Sequence, residues 1–244
     1  MFVYYLITRW KELGKINGKE YIVKTIVTTE TIKTIAERNG VEMYDVYTGF
    51  KWIANVMREN KGKKNYIGGG EESYGFLCED FVRDKDAVSA CVILAEIAAW
   101  AKDQGLSLYQ LLQKIYVEYG FSKEKGISVV KKGKSGAEEI EAMMKKFREN
   151  PLTEIAGSKV TYFYDYSTLK GKDYAENETV TLDMPTTSNV LQYFTEDNTK
   201  VSIRPSGTEP KIKFYCEVHS KVKSIDELPE AEKAAEEKLS LIHI

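Results

Sequence analysis

Histidine and cysteine are scarce in this chain: two histidines, His219 and His243, and three cysteines, Cys78, Cys91 and Cys216, occur among 244 residues. The histidines are too few and too isolated for a catalytic triad or a histidine-based metal centre. The cysteines are odd in number and widely spaced, with no CxxC pair and no histidine at metal-ligand spacing. They point to a reducing compartment and are expected to be buried apolar residues rather than ligands or nucleophiles. No metal site is legible. An excess of one charge is missing too: 35 Lys and Arg stand against 37 Asp and Glu, a formal net charge of −2. Nucleic-acid or anionic-membrane partners call for a basic surplus, so neither is expected, and any anion must be recognised locally.

Long hydrophobic runs are also absent. The most apolar stretch, residues 87–101, is interrupted by Ser89 and Glu96 and falls short of the ~20 residues that cross a bilayer, so it reads as a buried core helix. "MFVYYLITRW" has no basic segment before its apolar residues and no small-residue cleavage site, which argues against a secretory signal and for the cytoplasm. Repeats and low-complexity linkers are lacking. With 43% hydrophobic and 30% charged residues, the composition is that of a folded, water-soluble protein. Its length suits one large domain or two modest ones.

What is present alternates. A short amphipathic helix closed by Gly14 is followed by the strand-like "EYIVKTIVTT", then by the helix "ETIKTIAERNG", which Thr28 or Thr29 can cap and Gly40 ends. The strand "VEMYDVYTGF", the helix "KWIANVMRENKG" and the strand "KNYIGG" come next, the last leading into a Gly68-Gly69-Gly70 turn. Two helices close this part, the longer capped by Asp84. The pattern predicts a layered α/β domain over 21–122. Thereafter a helix stopped by Pro151, a run of strands with a turn at Asp197 and Asn198, and a last helix capped by Ser224 with Pro229 near its first turn predict an α+β domain over 123–238.

Several short stretches carry chemistry. In "RPSGT", Arg204, Ser206 and Thr208 bring donors into one small volume, and Gly207 permits positive φ and close backbone approach. Phosphate is the natural guest, since Arg gives it bidentate charge-assisted bonds. Lys213, on the same strand face as Lys211, adds charge. The bland alternative is a hairpin turn with an exposed arginine. In "GGGEESYG" the acids Glu71 and Glu72 would repel phosphate, and a carboxylate instead suits the vicinal hydroxyls of a sugar. If the loop is extended, Glu71 and Ser73 face one ligand while Glu72 points elsewhere; the alternative is a glycine turn with solvated acids. Thr48 and Gly49 in "YTGFKW" end a strand, where ligand loops of α/β domains lie, although an aromatic-rich strand end is commonly core. Lys85 in "RDKDA" stands in a charged helix start, where a lysine is more often a solvated ion pair than a functional amine. "GGGEESYG" lacks the Lys-Ser/Thr ending of a P-loop, which argues against nucleotide binding there.

Taken together and in this order, "TGFKW", "GEESYG", "RDKDA", "SNVLQ" and "RPSGTEPKIKFY" resemble the C-terminal half of the α-D-phosphohexomutases, the phosphoglucomutase and phosphomannomutase family. The resemblance runs through residues 1–240. It implies a third-domain α/β fold followed by a TATA-binding-protein-like α+β domain, with residues 1–20 as the tail of the second domain. It further implies that Thr48, Gly49, Glu71 and Ser73 contact the sugar, and that Arg204, Ser206, Gly207, Thr208 and Lys213 hold the substrate's phosphate. Lys85 falls where the family carries a lysine near the reacting oxygens, as an acid or base; the chain reads D-K-D-A where E-K-D-G is commoner. Lys213 replaces an arginine of some relatives, keeping the charge but losing the fork.

Family members use four domains, with a phosphoserine loop and an Asp-rich Mg²⁺ loop in the first two. Neither loop is present here. The implied reaction is glucose 1-phosphate to glucose 6-phosphate through a glucose 1,6-bisphosphate intermediate, with Mg²⁺ bound by the missing domains of the same polypeptide. This chain alone is expected to be inactive, and no catalytic residue other than the candidate Lys85 is expected in it. Phosphomannomutase, phosphopentomutase or a non-catalytic sugar-phosphate binding module are the alternatives. The end, "LSLIHI" (239–244), departs in composition from the polar helix before it and can be encoded by CTG-TCT-CTT-ATA-CAC-ATC, the form of a sequencing-library adapter. A non-native tail is therefore expected.

Overall fold

The computed structural model describes residues 1–131, 133–207 and 209–242, the side chain of Lys134 apart. They form two compact units. One comprises Met1–Phe121 with the returning segment Lys221–Leu228, the other Ser122–Ser220 with the chain from Pro229 onward.

The first unit runs α1 (Phe2–Glu12), β1 (Glu20–Thr25), α2 (Thr31–Arg38), β2 (Glu42–Val46), α3 (Phe50–Asn60), β3 (Asn65–Gly70), β4 (Phe76–Cys78), α4 (Ala87–Asp103) and α5 (Leu108–Tyr119). Its sheet has the order β2-β1-β3-β4; β1 is parallel to both neighbours and β4 antiparallel to β3. Every residue of β1 is buried, as befits a central parallel strand covered on both faces. Period-two alternation divides its side chains. Ile22 joins Ile67 and residues of α1, α2, α4 and α5 in one core, while Tyr21 and Val23 join Phe50, Ile53 and Met57 of α3 in the other.

Four sequence expectations change here. Residues 1–20 do not stand apart as the tail of another domain: Val3, Tyr4, Tyr5, Leu6 and Ile7 of α1 are buried in the first core. The three glycines form no turn; they are the end of β3. A Cβ at Gly69 would lie 2.0 Å from the Val23 carbonyl oxygen, so close strand approach demands glycine. The cap of α4 is Asp86, whose carboxylate accepts from the Val88 and Ser89 amides, and not Asp84, which binds Lys85. Finally, α4 is apolar but not buried. Only Ile97 and Ala101 are shielded, Val88 and Val92 are 73% and 61% exposed, and Cys91 is exposed where burial was expected for all three cysteines.

The second unit contains β5 (Phe121–Val130), α6 (Gly133–Glu149), β6 (Glu154–Ile155), β7 (Ser158–Asp165), β8 (Lys170–Asp173), β9 (Glu178–Thr181), β10 (Leu191–Thr195), β11 (Lys200–Pro205), β12 (Lys211–Ser220) and α7 (Leu228–Leu241). The sheet order is β5-β12-β11-β10-β7-β8-β9, with β6 against β7; the pairings from β11–β12 through β10–β7 to β8–β9 are antiparallel. The β10–β11 turn is where the sequence places it: Asn198 has φ 63°, and Asp197 Oδ1 accepts from Thr195 Oγ1 at 2.6 Å and Thr199 Oγ1 at 3.0 Å. Ser224 begins a 3₁₀ turn, Ile225–Glu227, without a side-chain capping bond. Within the expected tail, α7 continues to Leu241 and Leu239 is buried, whereas His243 and Ile244 lie outside the described residues. Among the described residues no helix is long and apolar enough to cross a membrane.

Candidate functional site

The C-terminal ends of β1, β2 and β3 point the same way, and the loops that follow them meet. After β2 the chain passes Tyr47 and Thr48 to Gly49, which starts α3 at φ 115°, a value suited to glycine. After β3 the segment 71–75 closes on itself, the Glu71 amide donating to the Gly75 carbonyl at 2.8 Å. The two loops are then joined: the Gly49 amide donates to Glu71 Oε1 at 2.6 Å. Glu71 Oε2 has no hydrogen-bond partner among the described residues, leaving one carboxylate oxygen for an incoming hydroxyl. Gly75 sits at the centre of the cluster. A Cβ there would lie 2.8 Å from Phe50 Cε2, 3.3 Å from Glu71 Oε2 and 3.4 Å from Lys85 Cδ. Lys85 is thus brought beside Glu71, its ammonium 5.3 Å from the centre of the Phe50 ring and 3.2 Å from Asp84 Oδ1.

Ser73 differs from expectation. The loop is a tight turn with Tyr74 at φ 57°, not an extended segment, so residues two apart need not face one ligand. Ser73 Oγ donates to Glu72 Oε1 at 3.3 Å, and Glu72, expected to point elsewhere, accepts from Thr25 Oγ1 at 3.3 Å. Beneath this lies a node that sequence reasoning missed. Lys24 is wholly buried and pairs with Asp45 Oδ1 at 2.7 Å and Glu30 Oε1 at 3.0 Å. Burial acts to lower its pKa, but the two carboxylates outweigh it and hold the ammonium above its ordinary value. Lys24 therefore ties β1 to the strand that leads into Thr48, and Thr25, the next residue, ties it to the 71–75 loop. An isolated lysine in "YIVKT" carries no signal of this; only the register Lys24 to Asp45 in adjacent strands does.

In the second unit the antiparallel register sets Arg204 directly opposite Lys213 and Pro205 opposite Ile212. Residues so paired share a sheet face, so two cationic side chains stand side by side there. Lys213 also lies 5.9 Å from the Tyr215 ring centre. The turn is held by Ser206 N donating to Lys211 O at 2.7 Å and Glu209 N donating to Ser206 Oγ at 3.3 Å. Lys211 is engaged by Glu209 at 2.8 Å. Gly207 corrects the sequence reading: its φ is not positive, and nothing lies within 4 Å of where its Cβ would be. It leaves clearance instead of enabling a special turn. Thr208 lies outside the described residues.

The described residues contain no cluster of three His, Cys, Asp or Glu side chains able to hold a metal ion. The donor set for the Mg²⁺ that the family resemblance implies is thus not found among them, and no chemical step is assigned through it in this chain.

Residues 1–119 match the family described as phosphoglucomutase/phosphomannomutase, alpha/beta/alpha domain III, and residues 128–235 its C-terminal domain. The phosphoglucomutase of Staphylococcus haemolyticus (strain JCSC1435) is 35% identical over 214 residues, 88% of this chain and 39% of that protein. That of Staphylococcus aureus (strain bovine RF122 / ET3-1) is 40% identical over 194 residues, 80% of this chain and 35% of that protein. The chain thus spans well under half the length of these relatives. Among solved structures, the open form of pp63/parafusin from Paramecium has a TM-score of 0.55 at 18% identity, covering 90% of this chain and 37% of that one. A phosphoglucomutase/phosphomannomutase family protein from Burkholderia thailandensis has 0.53 at 16%, covering 96% and 41%. Both structures show the shared fold. With both matched domains in consecutive order and most of its length accounted for, the chain belongs to the phosphoglucomutase/phosphomannomutase family, of which it carries domain III and the C-terminal domain.

Proposed function

We propose that the chain is the substrate-recognition part of a phosphoglucomutase that interconverts glucose 1-phosphate and glucose 6-phosphate through a phosphoserine and a bisphosphate intermediate. Thr48, Gly49, Glu71 and Ser73 read the sugar hydroxyls. Arg204, Ser206, Gly207, Thr208 and Lys213 clamp the phosphate that is not reacting. Lys85 stands near the reacting oxygens as the candidate proton carrier, and Mg²⁺ with the phosphoserine belongs to domains outside this chain.

The observation that carries the reading is the Gly49–Glu71 hydrogen bond. It joins two separate motif loops into one acidic receptor with an available carboxylate oxygen, a chemistry suited to hydroxyls and unsuited to phosphate. The opposed cations Arg204 and Lys213 offer the complementary chemistry. Dividing recognition this way lets a substrate turn between two transfers while one phosphate stays held, so positioning supplies much of the rate.

The test is binding of glucose 1-phosphate and inorganic phosphate to the 244-residue chain, followed by NMR. Glu71→Gln is expected to weaken glucose 1-phosphate about tenfold while leaving inorganic phosphate unchanged, since a charge-assisted hydrogen bond contributes about 1.5–3 kcal/mol. Arg204→Gln should weaken both. Equal affinity of wild type and Glu71→Gln for the sugar phosphate would overturn the assignment of the acidic loop.

A further inference from the structure

A second cationic feature lies on the first unit and borders two of these motifs, since Lys51 belongs to "TGFKW" and Arg83 to "RDKDA". Lys51, Ala54, Asn55 and Arg58 of α3 and Lys61 just beyond it follow the spacing i, i+3, i+4, i+7, i+10, which places them along one helix face. With Arg83, from the loop before α4, they line a cavity of about 420 Å³. Four of the six lining residues are cations and none is an acid. Lys51, Arg58 and Lys61 make no ion pair among the described residues, and the carboxylate nearest Arg83 is Asp80, at 3.9 Å. The guanidinium of Arg58 is steadied by Asn55, to whose Oδ1 it donates at 2.5 Å. Asn55 in turn donates to Glu59 at 2.7 Å. Lys51 lies 5.0 Å from the Trp52 ring centre.

Gathering four positive charges in one cleft raises the local potential and costs stability unless an anion enters. The chain carries a net charge of −2, so this concentration does not reflect a generally basic surface. The cavity falls in the size range of small-ligand sites. At 1.5 Å rise per residue, Lys51 and Lys61 stand about 15 Å apart along the axis, farther than one phosphate can bridge. Two arginines supply the forked donors that match phosphate oxygens. None of Thr48, Gly49, Glu71, Ser73 or Lys85 lines this cleft.

We propose that the cleft binds a small metabolite carrying two or more phosphate groups, with a set of lining residues that includes none of the proposed sugar or phosphate ligands. Its position suits an effector, because Lys51 lies in the first turn of the helix that Gly49 starts, and Arg83 is two residues from Lys85.

The probes are fructose 1,6-bisphosphate and metal-free adenosine triphosphate, titrated into the full chain bearing Arg204→Gln, which weakens the proposed phosphate loop of the second unit. Inorganic phosphate serves as the control. Amide and arginine side-chain resonances are followed at about 0.15 M salt. Saturable shifts centred on 51–61 and Arg83, weakened about tenfold or more by Arg58→Gln with Lys61→Gln and unchanged by Glu71→Gln, are expected. Binding by the bisphosphate alone or by the triphosphate alone assigns the sugar or nucleotide source. Neither probe binding, shifts that survive the double variant, or response only to an oligonucleotide would overturn the proposal. Because the sugar-reading loop is probed separately through Glu71→Gln and glucose 1-phosphate, failure here leaves that reading intact.

Discussion

Two buried lysines illustrate how position, not residue type, sets what a side chain contributes. Lys200 and its cross-strand partner Glu217 are 2% and 4% exposed at the side chain and 3.2 Å apart. Lys24 is just as buried, but its partners Glu30 and Asp45 are 30% and 35% exposed. Removing one member of an enclosed pair leaves a charge with no water to turn to, whereas a carboxylate about a third exposed can turn toward water, even though Asp45 Oδ1 itself is buried. Lys200→Met is therefore expected to lower unfolding free energy by about 3–5 kcal/mol, and Lys24→Met by clearly less, measured by urea denaturation. Equal losses would mean that partner exposure does not govern the cost. Neither lysine stood out in the sequence: "YIVKT" and "NTKVS" each read as a strand or turn with an ordinary lysine, and only cross-strand register pairs them with acids. Glu71 was legible as a candidate acceptor for hydroxyls because its chemistry stands in the residue itself, while its bond to Gly49 was not, since 22 residues separate them.

At the scale of elements, helices and strands followed from periodicity far better than their exposure did. The composition of α4 suggested a core helix, and a helix apolar on all sides is ordinarily enclosed. Its actual exposure depends on which faces the rest of the unit reaches, something its own sequence does not encode. The β10–β11 turn was easier, because Asp197 and Asn198 favour turns through local bonds. That turn has a pH signature. Burial would raise the Asp197 pKa, but hydrogen bonds from Lys238, Thr195, Ser158 and Thr199 outweigh it and hold the carboxyl well below its usual value of 3.8. A group with a depressed folded pKa stabilises fully above its unfolded pKa and loses that contribution as pH falls through the folded one. The urea midpoint of the wild type should accordingly fall as pH drops below about 4. In Asp197→Asn, which cannot ionise, the midpoint should be lower at neutral pH and fall less steeply with acid. Parallel pH profiles for the two proteins would exclude Asp197 as a source of the acid sensitivity.

At the scale of the whole molecule, the chain carries two consecutive domains of a family whose members compared above are more than twice as long. Under the proposed function, recognition and transfer chemistry sit on different domains. The purified chain is expected to bind glucose 1-phosphate yet give no glucose 6-phosphate in a dehydrogenase-coupled assay, with or without Mg²⁺ and glucose 1,6-bisphosphate. Turnover at a rate proportional to the chain, and absent in Arg204→Gln, would show that the missing loops are dispensable. The sequence by itself determined the alternating elements, the family and the identity of the candidate ligands, because periodicity and short motifs are local properties of a chain. Only the tertiary structure decided that α1 belongs to the first core, that three glycines are a strand under a close carbonyl, that Lys24 and Thr25 anchor the loops after β2 and β3, and that four cations share one cleft. Each of these depends on residues far apart in sequence meeting across strands or helices, and such meetings are settled by packing and register.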